Sequence, residues 1–535
     1  MTYQLQIGQI LRTPLATAPE QCVHHGDAVT LTYRQVADRV ARLGAALGAL
    51  GLGPGATVAV MDWDSHRYFE CYFGVPMLGA TLHMINVRLA PEQVRYTIDH
   101  AEDDAILVHE DFLPLLLPLL PKLARRPRLI LLTDRGAAVP DGFEGEYEAL
   151  LAAQEDCFAF PDLDEGTRAT LFYTTGTTGQ PKGVSYSHRQ IVLHTLGALA
   201  ALGPVPGQGG LKKNDVYMPV TPLFHVHGWG FPYVATMLGL KQVYPGRYEP
   251  ARLLRLIETH GVTFSHFVPT ILAMLLNAPE ARGVDLSRLK VLIGGSALPE
   301  GLARSARARG IDVHAAYGMS ETCPLLTTAD MVASQASDEV TIRTATGKPT
   351  PMVDLRIVDG EMNDVAHDGR TTGEVVVRAP WLTEGYLKDP EGTGALWRGG
   401  WLHTGDVGHL SPDGTLRITD RLKDVIKSGG EWVSSLQLED IASTVPGLAE
   451  VAAIGVPDAR WGERPVLVVA CGAAEEERVA QDIRAVIDAA IARGDLPGWA
   501  APDRIVRVEA LPKTSVGKID KKAIRANVAA GVAHG

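Results

Sequence analysis

Between positions 169 and 183 an apolar, aromatic run, Ala-Thr-Leu-Phe-Tyr, passes directly into Thr-Thr-Gly-Thr-Thr-Gly-Gln-Pro-Lys-Gly, and this junction constrains the fold more than any other stretch. The first five residues have strand character, so the loop that follows must leave the end of a sheet. Gly176 and Gly179 permit close backbone approach, Thr174, Thr175, Thr177 and Thr178 bring hydroxyls, and Lys182 brings positive charge. Together these groups form a cradle for a polyphosphate. It is not a Walker A loop, which opens a helix with Gly-Lys-Ser/Thr. Here Pro181 precedes Lys182 and pushes Gln180 out of helical geometry.

The surrounding pattern is that of an α/β body. Val36, Val40, Leu43, Leu47 and Leu50 recur at four- and three-residue steps and predict an amphipathic helix over 34–50, ahead of a strand at 57–61. Further β-rich runs at 105–109 and 129–133 alternate with helical segments, which implies largely parallel sheets covered by helices. Shorter β segments at 353–358, 373–378 and 414–418, separated by Gly/Asp turns, predict a β-rich subdomain. The segments 451–456, 466–471, 475–493 and 504–508 then make a small α+β module of about 110 residues. The expected division is a large N-terminal body, residues 1–420, and a C-terminal lid, residues 421–535.

Composition removes several classes of function. A chain of 535 residues is too long for one hydrophobic core, and 46% apolar with 21% charged residues is ordinary for a globular enzyme. The net charge of −12 argues against a nucleic-acid partner, which needs a clustered basic face. Five scattered cysteines form no CxxC pair, so neither a zinc site nor a disulfide framework is expected, and a reducing cytoplasm fits. The opening Met-Thr-Tyr-Gln-Leu-Gln has neither a basic nor an apolar signal region, and the apolar stretch 112–123 is cut by Pro114, Pro118 and Pro121. Membrane insertion is therefore not expected.

Further clusters follow the first loop in a set order. Gly294, Gly295, Ser296 and Ala297 come after the apolar Val291, Leu292 and Ile293, so bare backbone at a strand end could lie flat against a base. The hexapeptide Tyr317-Gly318-Met319-Ser320-Glu321-Thr322 joins an aromatic platform to a hydroxyl and a carboxylate, and Glu321 can hold a hard cation beside phosphate oxygens. His403-Thr404-Gly405-Asp406 sets a carboxylate after a glycine turn, able to accept two ribose hydroxyls. Asp420-Arg421-Leu422-Lys423-Asp424 clusters charge at the expected boundary.

With Pro512-Lys513-Thr514-Ser515-Val516-Gly517-Lys518 these stretches occur in an order that resembles the adenylate-forming superfamily of acyl-CoA synthetases, luciferases and peptide-synthetase adenylation domains. The resemblance covers nearly the whole chain. It implies that the first loop holds the β- and γ-phosphates of ATP, that Thr174 and Glu321 sit near Mg²⁺, and that Lys518 is catalytic. It further implies that Ser296 and Ala297 with Tyr317 frame the adenine, that Gly295 and Ser320 also belong to the nucleotide site, and that Asp406 and Arg421 bind the ribose. Lys423 matches the family hinge. A swing about it is expected to withdraw Lys518 and bring the segment from Lys427 to Trp432 to the site, where coenzyme A would pass.

Pro222-Leu223-Phe224-His225-Val226-His227-Gly228-Trp229 resembles bacterial medium- and long-chain fatty acyl-CoA synthetases and methylthiopropionate-CoA ligases. That likeness places His225 beside the acyl carboxylate and Trp229 at an acyl tunnel, with Val234, Phe267 and Met319 as expected lining residues. The expected activity is ATP-dependent ligation of a medium- or long-chain fatty acid to CoA through an acyl-adenylate, by a possible homodimer. The alternative keeps adenylation but delivers the acid, or an unusual small oxyacid, to an amine or another acceptor.

Overall fold

The computed structural model describes residues 3–154, 158–174, 180–205, 210–337, 339–428, 431–514 and 518–530. Two sheets dominate the first part of the chain. One has seven strands, with Thr57–Met61 at its centre between Thr81–Met84 and Ala105–His109; all pairings are parallel until Gly183–Ser187 folds back antiparallel on Arg168–Tyr173. The other has nine, and its parallel middle runs from Asp312–Gly318 through Lys290–Ile293, Phe264–Phe267 and Val216–Pro219 to Lys241–Tyr244 and Cys22–His25. The helix expected at 34–50 forms as Tyr33–Ala49. It starts where Thr32 caps it: the Thr32 hydroxyl accepts from Gln35 N–H, and the Gln35 side chain accepts from Thr32 N–H. Such a cap is worth about 1 kcal/mol.

Helix His66–Met77 packs against strands of both sheets and is buried on every face up to Pro76. Its two charged residues are paired inside: Glu70 with Arg39 at 2.6 Å and Arg67 with Asp134 at 2.5 Å. Its Tyr72 hydroxyl donates to the carbonyl of Leu223, 2.6 Å away, and so reaches the segment ahead of His225.

The β-rich subdomain is a four-stranded antiparallel sheet of Asp354–Val358, Gly373–Arg378, Leu402–Leu410 and Leu416–Arg421. The last strand starts two residues later than the sequence predicts, because Gly414 is spent on a left-handed turn (φ +82°). Beyond it, Leu448–Asp458, Gly462–Cys471 and Arg504–Val508 form a separate sheet with helices Ser435–Ser443, Glu476–Arg493 and Lys521–Ala529. Leu438, Leu467, Ile483 and Ile487 centre a core of its own there. This module rests on the large body where Glu300 N–H donates to Asp440, 3.2 Å away, and where bare Gly301 admits the carbonyl of Ser443. The fold is thus mixed α/β with parallel sheets, followed by an α+β C-terminal domain. Among the described residues no helix is long and apolar enough to cross a membrane.

Candidate active site

The ends of these strands converge on one cavity of about 420 Å³. Strand Arg168–Tyr173 delivers Thr174 to its wall. The base of the loop is closed by two bonds, Thr174 N–H to the Lys182 carbonyl at 2.9 Å and Lys182 N–H to the Thr174 hydroxyl at 3.3 Å. Thr175, Gly176, Thr177, Thr178 and Gly179 lie outside the described residues. Lys182 lines the cavity with its Nζ 3.1 Å from Asp389 and 4.4 Å from the ring centroid of Tyr386.

Strand Lys290–Ile293 ends at Gly294 and Gly295, whose bare backbone is closely approached by two cavity side chains. A Cβ on Gly294 would stand 3.1 Å from Cη2 of Trp229, and one on Gly295, whose φ is +78°, would stand 3.0 Å from Cε of Lys518. Ser296 and Ala297 are exposed and do not line the cavity: the strand has ended, and the chain turns outward before they are reached.

Strand Asp312–Gly318 carries Tyr317, whose hydroxyl donates to Asp406 at 2.7 Å. Asp406 faces Arg421 across the antiparallel pair, with Arg421 Nε 3.2 Å from its Oδ1. Asp406 is therefore held one contact behind Tyr317 and Arg421, which line the cavity themselves. Ser320 and Glu321 follow in a 3-10 turn. Glu321 is nearly buried and accepts the Tyr386 hydroxyl at 2.7 Å. Burial pushes its carboxyl above the usual range, and the Tyr386 bond opposes that shift. Tyr386 escaped the sequence reading. Its signal was Gly385-Tyr386 after Thr383, in a segment that gains meaning only when packed on Glu321.

Lys518 comes from the C-terminal domain, where its carbonyl accepts from Thr514 N–H at 2.7 Å. Burial in the cavity, then the charge of Arg421, pushes its ammonium down to about 8, while Asp406 and Glu321 oppose them. The group is thus mainly a cation at neutral pH. Lys423 also lines the cavity. Lys427 does not: it is exposed on strand Ile426–Ser428, because the arrangement that seats Lys518 leaves that strand outside. The side chain of Trp432 lies outside the described part.

The opposite end of the cavity is apolar, walled by Val226, Trp229, Phe231, Leu292 and Met319. His225 stands at its border. Burial, then the charges of Lys518 and Arg88, pushes its ring down to about 3, so it is neutral. The residues after it adopt an unusual path: Val226, His227, Gly228, Trp229 and Gly230 all have φ between +49° and +74°. A left-handed run through three non-glycine residues, one β-branched, costs of order 1–3 kcal/mol per residue. His227 pins it by a 2.7 Å hydrogen bond to Thr170, on the strand that leads to Thr174. Val234 and Phe267 do not reach the cavity. Val234 faces the core from helix Phe231–Leu238, and Phe267 joins Leu272 and Ile293 on the far side of its strand.

The residues fit a magnesium-bound nucleotide. Mg²⁺ takes one or two protein carboxylates and completes its shell with phosphate oxygens and water. Glu321 and Thr174 share the cavity wall, and no cluster of three acidic, His or Cys side chains is needed or present among the described residues.

Comparison with known proteins agrees with this geometry. Residues 10–387 match the family described as AMP-binding enzyme, and residues 437–518 match the AMP-binding enzyme C-terminal domain. This chain belongs to the AMP-binding enzyme family. The 3-methylmercaptopropionyl-CoA ligase of Ruegeria pomeroyi is 41% identical to this AMP-binding enzyme over 94% of the chain and 92% of the relative. The long-chain-fatty-acid–CoA ligase of Thermus thermophilus is 37% identical over 94% and 91%. Among solved structures, the anthranilate CoA ligase AuaEII in complex with anthranoyl-AMP superposes with a TM-score of 0.88 at 24% identity, covering 99% of both chains, and shares the fold.

Proposed function

We propose that this AMP-binding enzyme joins a carboxylic acid with an unbranched apolar tail to the thiol of coenzyme A by way of an acyl-adenylate. The observation that carries the reading is one cavity that brings Lys518, seated against Gly295, together with His225, Trp229 and an apolar wall. Relatives named as CoA ligases span a short thioether acid and long fatty acids, so the aliphatic tail is supported by both.

In the first step a carboxylate oxygen attacks the α-phosphorus of ATP. The new P–O bond forms as the bond to pyrophosphate breaks. Lys518 places positive charge where negative charge accumulates, Tyr317 offers a face to the adenine, and Arg421 with Asp406 serves the ribose. Neutral His225 borders the acyl carboxylate without adding charge. Mg²⁺, held by Glu321 and Thr174, would neutralise the phosphate oxygens. In the second step the CoA sulfur attacks the acyl carbon, AMP departs, and the thiol proton passes to solvent.

The two steps need different faces of the C-terminal domain. We place the boundary at 420/421 and the hinge at Lys423, so that a swing exchanges Lys518 for the exposed Lys427 and its neighbours, Trp432 included. Four cysteines, Cys22, Cys71, Cys323 and Cys471, are free thiols, which supports a reducing, cytoplasmic setting. A homodimer is part of the same reading and is checked by light scattering.

Mass spectrometry of the protein with ATP, Mg²⁺ and linear acids, with and without CoA, tests the function. Acyl-CoA from linear acids supports it. AMP and pyrophosphate without thioester assigns the activated acid to an amine or another acceptor.

A further inference from the structure

His266 belongs to no motif and takes no part in the two steps above, yet it stands directly behind the apolar wall. It is fully buried on strand Phe264–Phe267. Its ring stacks on Phe231 at 4.8 Å and lies 5.1 Å from Trp229, both of which line the cavity. Behind it Tyr217 stacks at 5.8 Å, and the Tyr217 hydroxyl lies 2.8 Å from Nε2. The Thr221 hydroxyl donates to the His266 carbonyl and lies 3.2 Å from Nδ1. Burial holds the ring neutral, and this network assigns the proton to Nδ1, with Tyr217 donating to Nε2. A ring bonded at both nitrogens inside a close-packed core has no second rotamer to adopt without leaving buried polar atoms unpaired.

We propose that His266, acting through Trp229 and Phe231, is the stop that limits the length of the acyl tail, so that the enzyme favours shorter linear acids. This rests on the aliphatic reading above and deepens it. Trp229 and Phe231 form part of the apolar wall that the tail would meet, and both rest on His266. A longer tail would have to push Trp229 or Phe231 into space that His266 fills, and His266 cannot yield without breaking both of its hydrogen bonds. His266 is a positioning residue: it shapes the wall and touches no reacting atom.

The test is kcat/KM for acyl-CoA formation from propionate, butanoate, hexanoate, octanoate and dodecanoate, in the unaltered enzyme and in His266→Ala and Tyr217→Phe. Turnover should fall about tenfold or more from butanoate to dodecanoate, because a tail that reaches the wall must displace packed rings. The octanoate-to-butanoate ratio should rise about tenfold in His266→Ala, which opens the stop, and by less in Tyr217→Phe, which only loosens it. A purely structural role would lower all acids together and leave that ratio unmoved, which overturns the proposal. So does an unaltered enzyme that takes dodecanoate as well as butanoate. Should His266→Ala lose every acid, the same ratio in Phe231→Ala decides, a rise supporting the stop and no change overturning it. An enzyme that forms thioester from aromatic acids but from no linear acid overturns the aliphatic reading itself, and the stop with it.

Discussion

The side chain of Lys518 lies against the bare backbone of Gly295, so close that a methyl group at 295 would stand 3.0 Å from its Cε. The lysine arrives from the C-terminal domain, so this one contact joins that domain to the large body. Lys518→Ala should slow acyl-adenylate formation on the order of 100-fold or more, the usual loss when a preorganised charge donor is removed. Thioester formation from a synthetic acyl-adenylate should change little. Gly295→Val should reproduce the first effect by blocking the lysine, and single-turnover assays of each half-reaction separate the two.

Adenylation should also report the lowered pKa of that ammonium. The useful form is the cation, and the folded value is about 8 against an ordinary 10.5. Activity through Lys518 is therefore present below about pH 8 and is lost as pH rises through it. A pH profile of kcat/KM for ATP in the pyrophosphate-exchange assay should show a basic limb there, and that limb should be absent in Lys518→Ala.

Tyr386→Phe removes the hydroxyl that donates to Glu321 and leaves a buried carboxylate short of a charge-assisted bond worth roughly 1.5–3 kcal/mol. The KM for magnesium-ATP should rise about tenfold, measured across a Mg²⁺ series. An unchanged KM would separate Glu321 from the metal.

Lys427→Ala should leave adenylation intact and slow thioester formation, since Lys427 is exposed while Lys518 occupies the cavity. Lys423→Pro should act in the same direction by stiffening the hinge. Equal loss in both half-reactions would remove the case for domain exchange.

Gly318→Ala tests packing without chemistry. A Cβ there would fall 1.6 Å from the carbonyl oxygen of Pro324, a backbone atom that cannot move alone. A loss of about 3 kcal/mol or more in stability is expected, read by denaturant unfolding.

The parts of the site legible in the sequence were those carried by short, contiguous signals at strand ends. Thr174, Lys182, Glu321 and Lys518 each sit in such a short motif, and all four line the cavity. What stayed hidden depends on side-chain direction or distant packing. Phe267 was expected at the acyl end, but successive strand residues face opposite ways, so the residue behind that wall is His266. Val234 failed for the same kind of reason: position in a helix near the site does not say which face looks inward. Tyr386 lies 65 residues beyond Glu321, and no local pattern announces their hydrogen bond. The fold was more readable, because the alternation of strands and helices over hundreds of residues averages such errors away. Its misplacements were confined to ends, as at Gly414.

The left-handed path of Val226, His227 and Trp229 sets a limit for anyone improving this protein by thermal selection. Glycine there would relieve torsional strain of order 1–3 kcal/mol per residue, but all three side chains are buried, and emptying such a site costs more, about 3–5 kcal/mol for a tryptophan. A library screened for heat resistance alone should therefore keep these three codons unchanged, and directed evolution of this enzyme should gain its heat resistance elsewhere in the chain.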